Sequence, residues 1–147
     1  MFTGVSKFKG RHEFNVDDKG RLSVPAKFRE ILKANNIELL TVTRWFDPCL
    51  VVFPPEPWSE FKDKLQSLPF GKKNARSLNR FFRGSAVDCT MNEQGRISIP
   101  ANLLKAVQIE KEAVIIGMGK YLEIWDKRAL EKGEPEEFLD NLEGLEI

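Results

Sequence analysis

Residues 17–26 read Asp17-Asp18-Lys19-Gly20-Arg21-Leu22-Ser23-Val24-Pro25-Ala26, and residues 92–101 read Asn92-Glu93-Gln94-Gly95-Arg96-Ile97-Ser98-Ile99-Pro100-Ala101. The offset is 75 throughout; Gly, Arg, Ser, Pro and Ala are identical and the aliphatic positions match in type. Working outward, Phe8-Lys9-Gly10 pairs with Phe82-Arg83-Gly84 at an offset of 74, and Leu50-Val51-Val52-Phe53 pairs loosely with Leu122-Glu123-Ile124-Trp125 at an offset of 72. The chain is therefore an internal repeat. Each unit has a short strand, a Gly-Arg turn, an aliphatic segment ending in Pro-Ala, a helix and closing strands.

The local reading of the first unit places a strand over Glu13 to Val16, a turn at Gly20 and a half-buried strand over Leu22-Ser23-Val24, which alternates apolar and polar. Pro25 stops pairing and suits a helix start, with Ser23 or Val24 near the cap. In the helix that follows, Phe28, Ile31 and Leu32 share the inner face while Lys27, Arg29 and Lys33 point out. The second unit repeats the pattern with Leu103, Leu104 and Val107, then adds strands over Ala113–Met118 and Tyr121–Trp125 joined at Gly119-Lys120. Between the units, Pro54-Pro55-Glu56-Pro57 reads as a rigid turn. Trp58 to Leu68 and Lys72 to Phe82 read as helices broken by Pro69-Phe70-Gly71.

A unit of this size buries too little surface to stand alone. The two are expected to interleave about a pseudo-twofold axis into one barrel-like α+β body. The expected divisions are 8–55 and 82–128 for the units, 56–81 for a helical linker and 129–147 for an acidic tail. With 147 residues, 41% of them hydrophobic and 31% charged, the chain can build a core, which excludes a disordered-tail protein. It has no run of apolar residues long enough for a transmembrane helix, and Met1 to Arg11 lacks the apolar stretch of a secretory signal. No membrane partner is expected. Cys49 and Cys89 stand apart in apolar surroundings and read as buried, reduced thiols.

The net charge of +1 hides an uneven distribution. Residues 131–147 hold six Glu, one Asp and one Lys, net −6, which leaves +7 on the rest. The tail reads either as a solubilising end or as a competitor for the basic surface. Lys72, Arg76, Arg80 and Arg83 fall on one face of their helix, and no acid occurs from 70 to 87. That stripe is open to three readings: a solvated face, a phosphate track, or a contact with acidic groups of another subunit.

Signals for catalysis are lacking. The single His12 has no companions for a metal site, and no nucleophile elbow, zinc-protease, P-loop or dinucleotide motif occurs. The acid pairs Asp17-Asp18 and Glu136-Glu137 lie in a turn and in the charged tail, where no tuned dyad is expected. The reading is a non-enzyme with no cofactor, no metal and no small-molecule substrate.

The repeated turn carries the functional signal. An acid and an arginine four apart across a turn form a clamp, and a clamped arginine loses less entropy on meeting a guanine edge or a phosphate. Lys9, Arg11, Lys19, Lys27 and Arg29 flank Asp17 and Arg21, and the second turn offers Asn92 and Arg96. The turn is open to two readings, a structural clamp or a DNA-reading arginine. Aromatic residues are not interleaved with these cations, which argues against single-strand binding.

These residues, together with the linker LPFGKKNARSLNRFFRGSA and the closing YLEIWD, make the chain resemble the MraZ family of bacterial transcriptional regulators from Phe8 to about Asp126. The resemblance implies two AbrB-like swapped-hairpin units in one chain and assembly into ring-shaped oligomers. It also implies binding to short direct repeats of double-stranded DNA upstream of the division and cell-wall gene cluster, in the cytoplasm on the nucleoid. The family's D-x-x-x-R motif maps onto Asp17 and Arg21. In the second half it maps onto Asn92 and Arg96, where a neutral amide replaces the acid and cannot make the charge-assisted clamp. The first half is therefore expected to dominate. Met1 to Ser6 reads as an extension ahead of the family's usual start. Trp45-Phe46 and Tyr121 are candidate subunit contacts. The alternative function is an oligomeric protein-binding scaffold or an antitoxin-like partner-binding module.

Overall fold

The computed structural model describes residues 7–133 and 136–146; the Met1–Ser6 extension and Ile147 lie outside them. The first unit contributes β1 (Arg11–Asn15), β2 (Arg21–Ser23), α1 (Ala26–Ala34), β3 (Leu39–Arg44) and β4 (Leu50–Phe53). Helices α2 (Pro55–Gln66) and α3 (Lys73–Ser85) follow. The second unit repeats the first as β5 (Val87–Thr90), β6 (Arg96–Ser98), α4 (Ala101–Ala106), β7 (Glu112–Gly117) and β8 (Leu122–Asp126). Helix α5 (Lys127–Gly133) and a 3-10 turn over Glu136–Asp140 complete the description.

The strands form an antiparallel six-stranded sheet in the order β1-β7-β8-β4-β3-β5 and a separate two-stranded ribbon of β2 and β6. Exchanging each strand for its repeat equivalent reverses the sheet order and returns the same sheet. A pseudo-twofold axis therefore runs between β8 and β4. The interleaving is extensive: β1 of the first unit pairs with β7 of the second, β5 pairs with β3, and the ribbon takes one strand from each.

The sheet is open, with β1 and β5 as its edges, so it does not close into the expected barrel. The Gly20 and Gly95 turns peel β2 and β6 away into their own pair. The interior is then sealed by that ribbon and two helices. Leu22 and Ile97 from the ribbon, Phe28 and Leu32 from α1, and Leu103 and Leu104 from α4 pack onto Leu40, Val42, Val52, Ile115 and Ile124 of the sheet. All of these are buried. The prolines differ in role from expectation. Pro25 and Pro100 themselves occupy the cap positions of α1 and α4, where neither Ser23 nor Val24 makes a capping bond. Pro54 caps α2 and Pro55 opens it, so Pro54-Pro55-Glu56-Pro57 starts a helix. Proline fits there because its fixed φ is helical and its missing N–H has no intrahelical partner to lose.

The opposite face of the sheet is covered by α2, α3 and α5. Trp45 sits at the centre of an aromatic cluster, 5.2 Å from Phe61, 5.7 Å from Phe82 and 5.5 Å from Tyr121 between ring centroids. The Thr43 hydroxyl on this face donates to the Phe82 carbonyl at 3.0 Å and fixes α3 on β3. Trp45 and Tyr121 pack together within one chain and stay half-buried, whereas Phe46, at the edge of the same cluster, is exposed. Leu130 of α5 buries itself with Cys49, Val114 and Trp125.

Cys49, in the β3–β4 loop, and Cys89, on β5, are free and buried, and burial pushes both thiols up from their ordinary value. Since the thiolate is the reactive form, both are expected to stay unmodified by a disulfide reagent at pH 8 until the chain is unfolded, when both should titrate. Reaction of either thiol in the native chain at the rate of a free cysteine contradicts this packing.

Candidate nucleic-acid interface

The first turn is built by one carboxylate. Asp17 accepts the backbone N–H groups of Lys19 and Arg21 on Oδ1, both at 2.9 Å, and the Arg21 Nε–H on Oδ2 at 2.7 Å. The backbone closes it, as Gly20 N–H donates to the Asp17 carbonyl and Asp17 N–H to the Arg21 carbonyl, each at 3.0 Å. Gly20 has φ +76°, a left-handed conformation that a side chain would strain. The Arg21 backbone N–H foremost, then the Arg21 guanidinium and the Lys19 N–H, hold the Asp17 carboxyl below the usual carboxylate range against its partial desolvation. A carboxyl lowered on folding adds stability that is complete above its unfolded value and lost as pH falls through its folded one.

The second turn keeps the backbone plan and loses the charge. Asn92 Oδ1 accepts the Arg96 N–H at 2.9 Å, and Gly95, at φ +75°, donates to the Asn92 carbonyl at 2.9 Å. The two turns hold each other: Val24 N–H donates to the Gly95 carbonyl and Ile99 N–H to the Gly20 carbonyl, both at 2.9 Å.

The ribbon between them pairs Arg21 with Ser98, Leu22 with Ile97 and Ser23 with Arg96. Leu22 and Ile97 point inward, so the period of two puts Arg21, Ser23, Arg96 and Ser98 on the outer face. Both guanidinium side chains are one-third exposed. Arg96 Nη1 lies 4.0 Å from Asp17 Oδ2, across the ribbon, while its buried Nε has no hydrogen-bond partner among the described residues. One carboxylate thus stands beside an arginine from each half, a juxtaposition missed when each turn is read alone. The signal was the matched offset of the two short strands, which permits them to pair.

Of the other expected residues, Lys19 is exposed at the turn and Lys27 is exposed in the first turn of α1, directly after the ribbon. Arg29 departs from expectation. Its side chain packs against Gly95, its Nη1 donates to the Gln94 carbonyl at 3.4 Å, and its Nε is buried without a partner among the described residues. It turns toward the second turn because α1 lies beneath that turn in the interleaved fold. Lys9 and Arg11 are exposed but precede or open β1, at the end of that strand away from Asp17. They are not brought into the ribbon. The basic stripe of α3 is also elsewhere: Lys72, Arg76, Arg80 and Arg83 are exposed on the face of the sheet opposite the ribbon. There Arg83 Nε donates to Asn79 at 2.8 Å and Arg76 to the Phe70 carbonyl at 2.9 Å.

Among the described residues no group of three or more His, Cys, Asp or Glu side chains is placed to hold a metal, and no helix is long and apolar enough to cross a membrane.

Comparison with known proteins agrees with the doubled architecture. The sequence profile of a family described as MraZ protein, antitoxin-like, matches residues 8–81 and again residues 82–141. A protein named Transcriptional regulator MraZ from Halothermothrix orenii is 44% identical over 121 residues, covering 82% of each chain. A protein of the same name from a Thermoanaerobacter species is 41% identical over 144 residues, 94% of this chain and 98% of its own. One from Moorella thermoacetica is 40% identical over 125 residues, 85% of each chain. With the family profile matching twice and covering nearly the whole sequence, the chain belongs to the MraZ family.

Proposed function

We propose that this chain is a sequence-specific DNA-binding transcriptional regulator that reads duplex DNA with the β2–β6 ribbon. The observation that carries the reading is the ribbon itself. A two-stranded ribbon fits a major groove about 12 Å wide, and arginine forks are the commonest readers of guanine edges. Arg21 and Arg96 supply the forks, Ser23 and Ser98 add hydroxyls beside them, and Lys19 and Lys27 reach phosphates. Arg29 acts from below, as support for the second turn. The relationship of the two units is that of swapped hairpins, each completing the other's sheet.

A single ribbon offers few base contacts, so useful affinity requires several copies on spaced repeats, where linked binding raises the effective concentration. That requirement agrees with the ring-shaped self-assembly and the direct repeats upstream of division and cell-wall genes that the family resemblance implies, in the cytoplasm on the nucleoid. Selection of bound sites from a random duplex pool tests the reading. A short repeated motif should be enriched, and affinity for it should fall steeply with salt while staying above that for scrambled duplex. Failure to enrich any motif overturns specific regulation. A second reading, a partner-binding scaffold, rests on the exposed α3 stripe with Phe70 beside it, 87% exposed, on the face away from the ribbon. Under that reading the pool yields no motif, while an acidic protein binds the chain and Arg76→Glu with Arg80→Glu abolishes that binding.

A further inference from the structure

The two arginines of the ribbon are unequal in their own turns and alike in what they face. Arg21 has an acid four residues before it, whereas Arg96 has only Asn92, which is spent on the Arg96 backbone N–H. The floors beneath the turns also differ. Positions 29 and 104 are equivalent in the repeat, and beneath Gly20 lies the apolar Leu104, whereas beneath Gly95 lies Arg29. Two groups of the first half therefore bracket the second-half arginine: the Asp17 carboxylate at 4.0 Å from its Nη1, and Arg29 under the turn from which it springs.

We infer that Asp17 is a positioning residue for both arginines of the ribbon, so that the first half sets the orientation of Arg96 as well as that of Arg21, with Arg29 bracing the second turn from below. This rests on the DNA-reading function proposed above. The chemistry is that of one acceptor shared by two cations. Asp17 Oδ2 takes the Arg21 Nε–H directly, and its remaining lone-pair capacity and full negative charge draw the Arg96 fork toward the same point. The shared carboxylate also lets two like-charged guanidiniums occupy diagonal positions on one ribbon. The pair then presents to a groove as one unit.

The test uses the full-length chain. Asp17→Asn is the informative variant because Asn92 already shows that an amide at this position supports the same backbone turn. If Asp17 served Arg21 alone, Asp17→Asn would leave binding unchanged or tighten it once Arg21 is alanine, because it only removes a carboxylate that faces the polyanion. The shared role instead predicts that Arg21→Ala with Asp17→Asn binds the duplexes enriched by the parent chain about two- to fivefold more weakly than Arg21→Ala, the range of a part-exposed ion pair. Asn92→Asp, which offers a carboxylate from the equivalent position, should restore most of the binding lost in Asp17→Asn. A second arm needs no DNA. The Asp17 carboxyl, followed by carbon NMR through an acid titration, should have a higher midpoint in Arg96→Ala than in the parent, and Arg96→Lys should move it less. Equal or tighter binding by the double variant, or an Asp17 midpoint indifferent to Arg96→Ala, overturns the shared role. If the parent enriches no duplex, the DNA-reading function fails, and the carboxyl titration alone decides whether Asp17 acts on Arg96.

Discussion

Arg21→Ala is expected to abolish discrimination between an enriched duplex and a scrambled one, with weaker binding to both. A bidentate arginine–guanine contact is worth roughly 1–3 kcal/mol of discrimination. The loss is compounded wherever several copies engage neighbouring repeats. Two features make Arg21 the more damaging of the two arginines to lose. Its Nε is held at 2.7 Å by Asp17, so it arrives at the DNA already oriented. Its removal also strips Asp17 of its nearest cation and leaves a carboxylate facing the polyanion. Arg96→Ala deletes a fork held at 4.0 Å and leaves the closer pair intact, so a smaller loss is expected. Isotherms on both duplexes, with particle mass and melting compared to the parent, check this. A folded Arg21→Ala chain that still prefers the enriched duplex, or a greater loss from Arg96→Ala, contradicts the assignment.

The largest effect on stability is expected from Gly20→Ala. Alanine there would sit at φ +76°, which costs about 1–2 kcal/mol for an L residue, and its Cβ would lie 2.6 Å from the Ile99 carbonyl oxygen. That oxygen is main chain, so relief requires moving the backbone of the opposite turn, whose Ile99 N–H is bonded to the Gly20 carbonyl. A total of roughly 2–4 kcal/mol follows, within the range of strained-backbone substitutions, and a fall in melting temperature on the order of 10 °C. Gly95→Ala meets the same φ penalty, but the obstruction is the flexible Arg29 side chain, which can swing away. Its cost should exceed the conformational part only by what displacing Arg29 from under the turn adds, and stay below that of Gly20→Ala. Thermal melts of the two variants decide it, and a Gly95→Ala chain at least as destabilised as Gly20→Ala refutes the backbone-clash argument.

Much of this was legible in the residues. The offset between the Gly-Arg turns exposed two units, period-two alternation marked Leu22 and Ile97 as inward, and helical spacing placed Phe28 and Leu32 in the core. What escaped reading depends on which half each segment packs against. Arg29 looks like an outward cation on its own helix and becomes a support because α1 lies under the second turn. Lys9 and Arg11 are near Asp17 in sequence and a strand's length away along β1. The proline run at 54–57 fits both a turn and a helix start, and the choice falls to burial of Pro57 against the body. Closure of a barrel was a reasonable extrapolation from size, yet the ribbon and helices already seal the apolar interior, leaving β1 and β5 as free edges.

The interleaved strand order also governs when the fold can form during synthesis. Strand β1 ends at Asn15, but its partner β7 begins at Glu112, and β2 waits equally for β6. A nascent chain therefore leaves the ribosome with a complete β3–β4 hairpin and with β1 and β2 unmatched until most of the sequence has been made. Non-local pairing of this kind slows folding and prolongs exposure of strand edges. Two nascent chains on one message hold the same unmatched strands side by side. Since β2 and β3 are the repeat equivalents of β6 and β7, each chain can offer the other a substitute for the missing partners, which makes translation the stage at which exchanged dimers are expected to form.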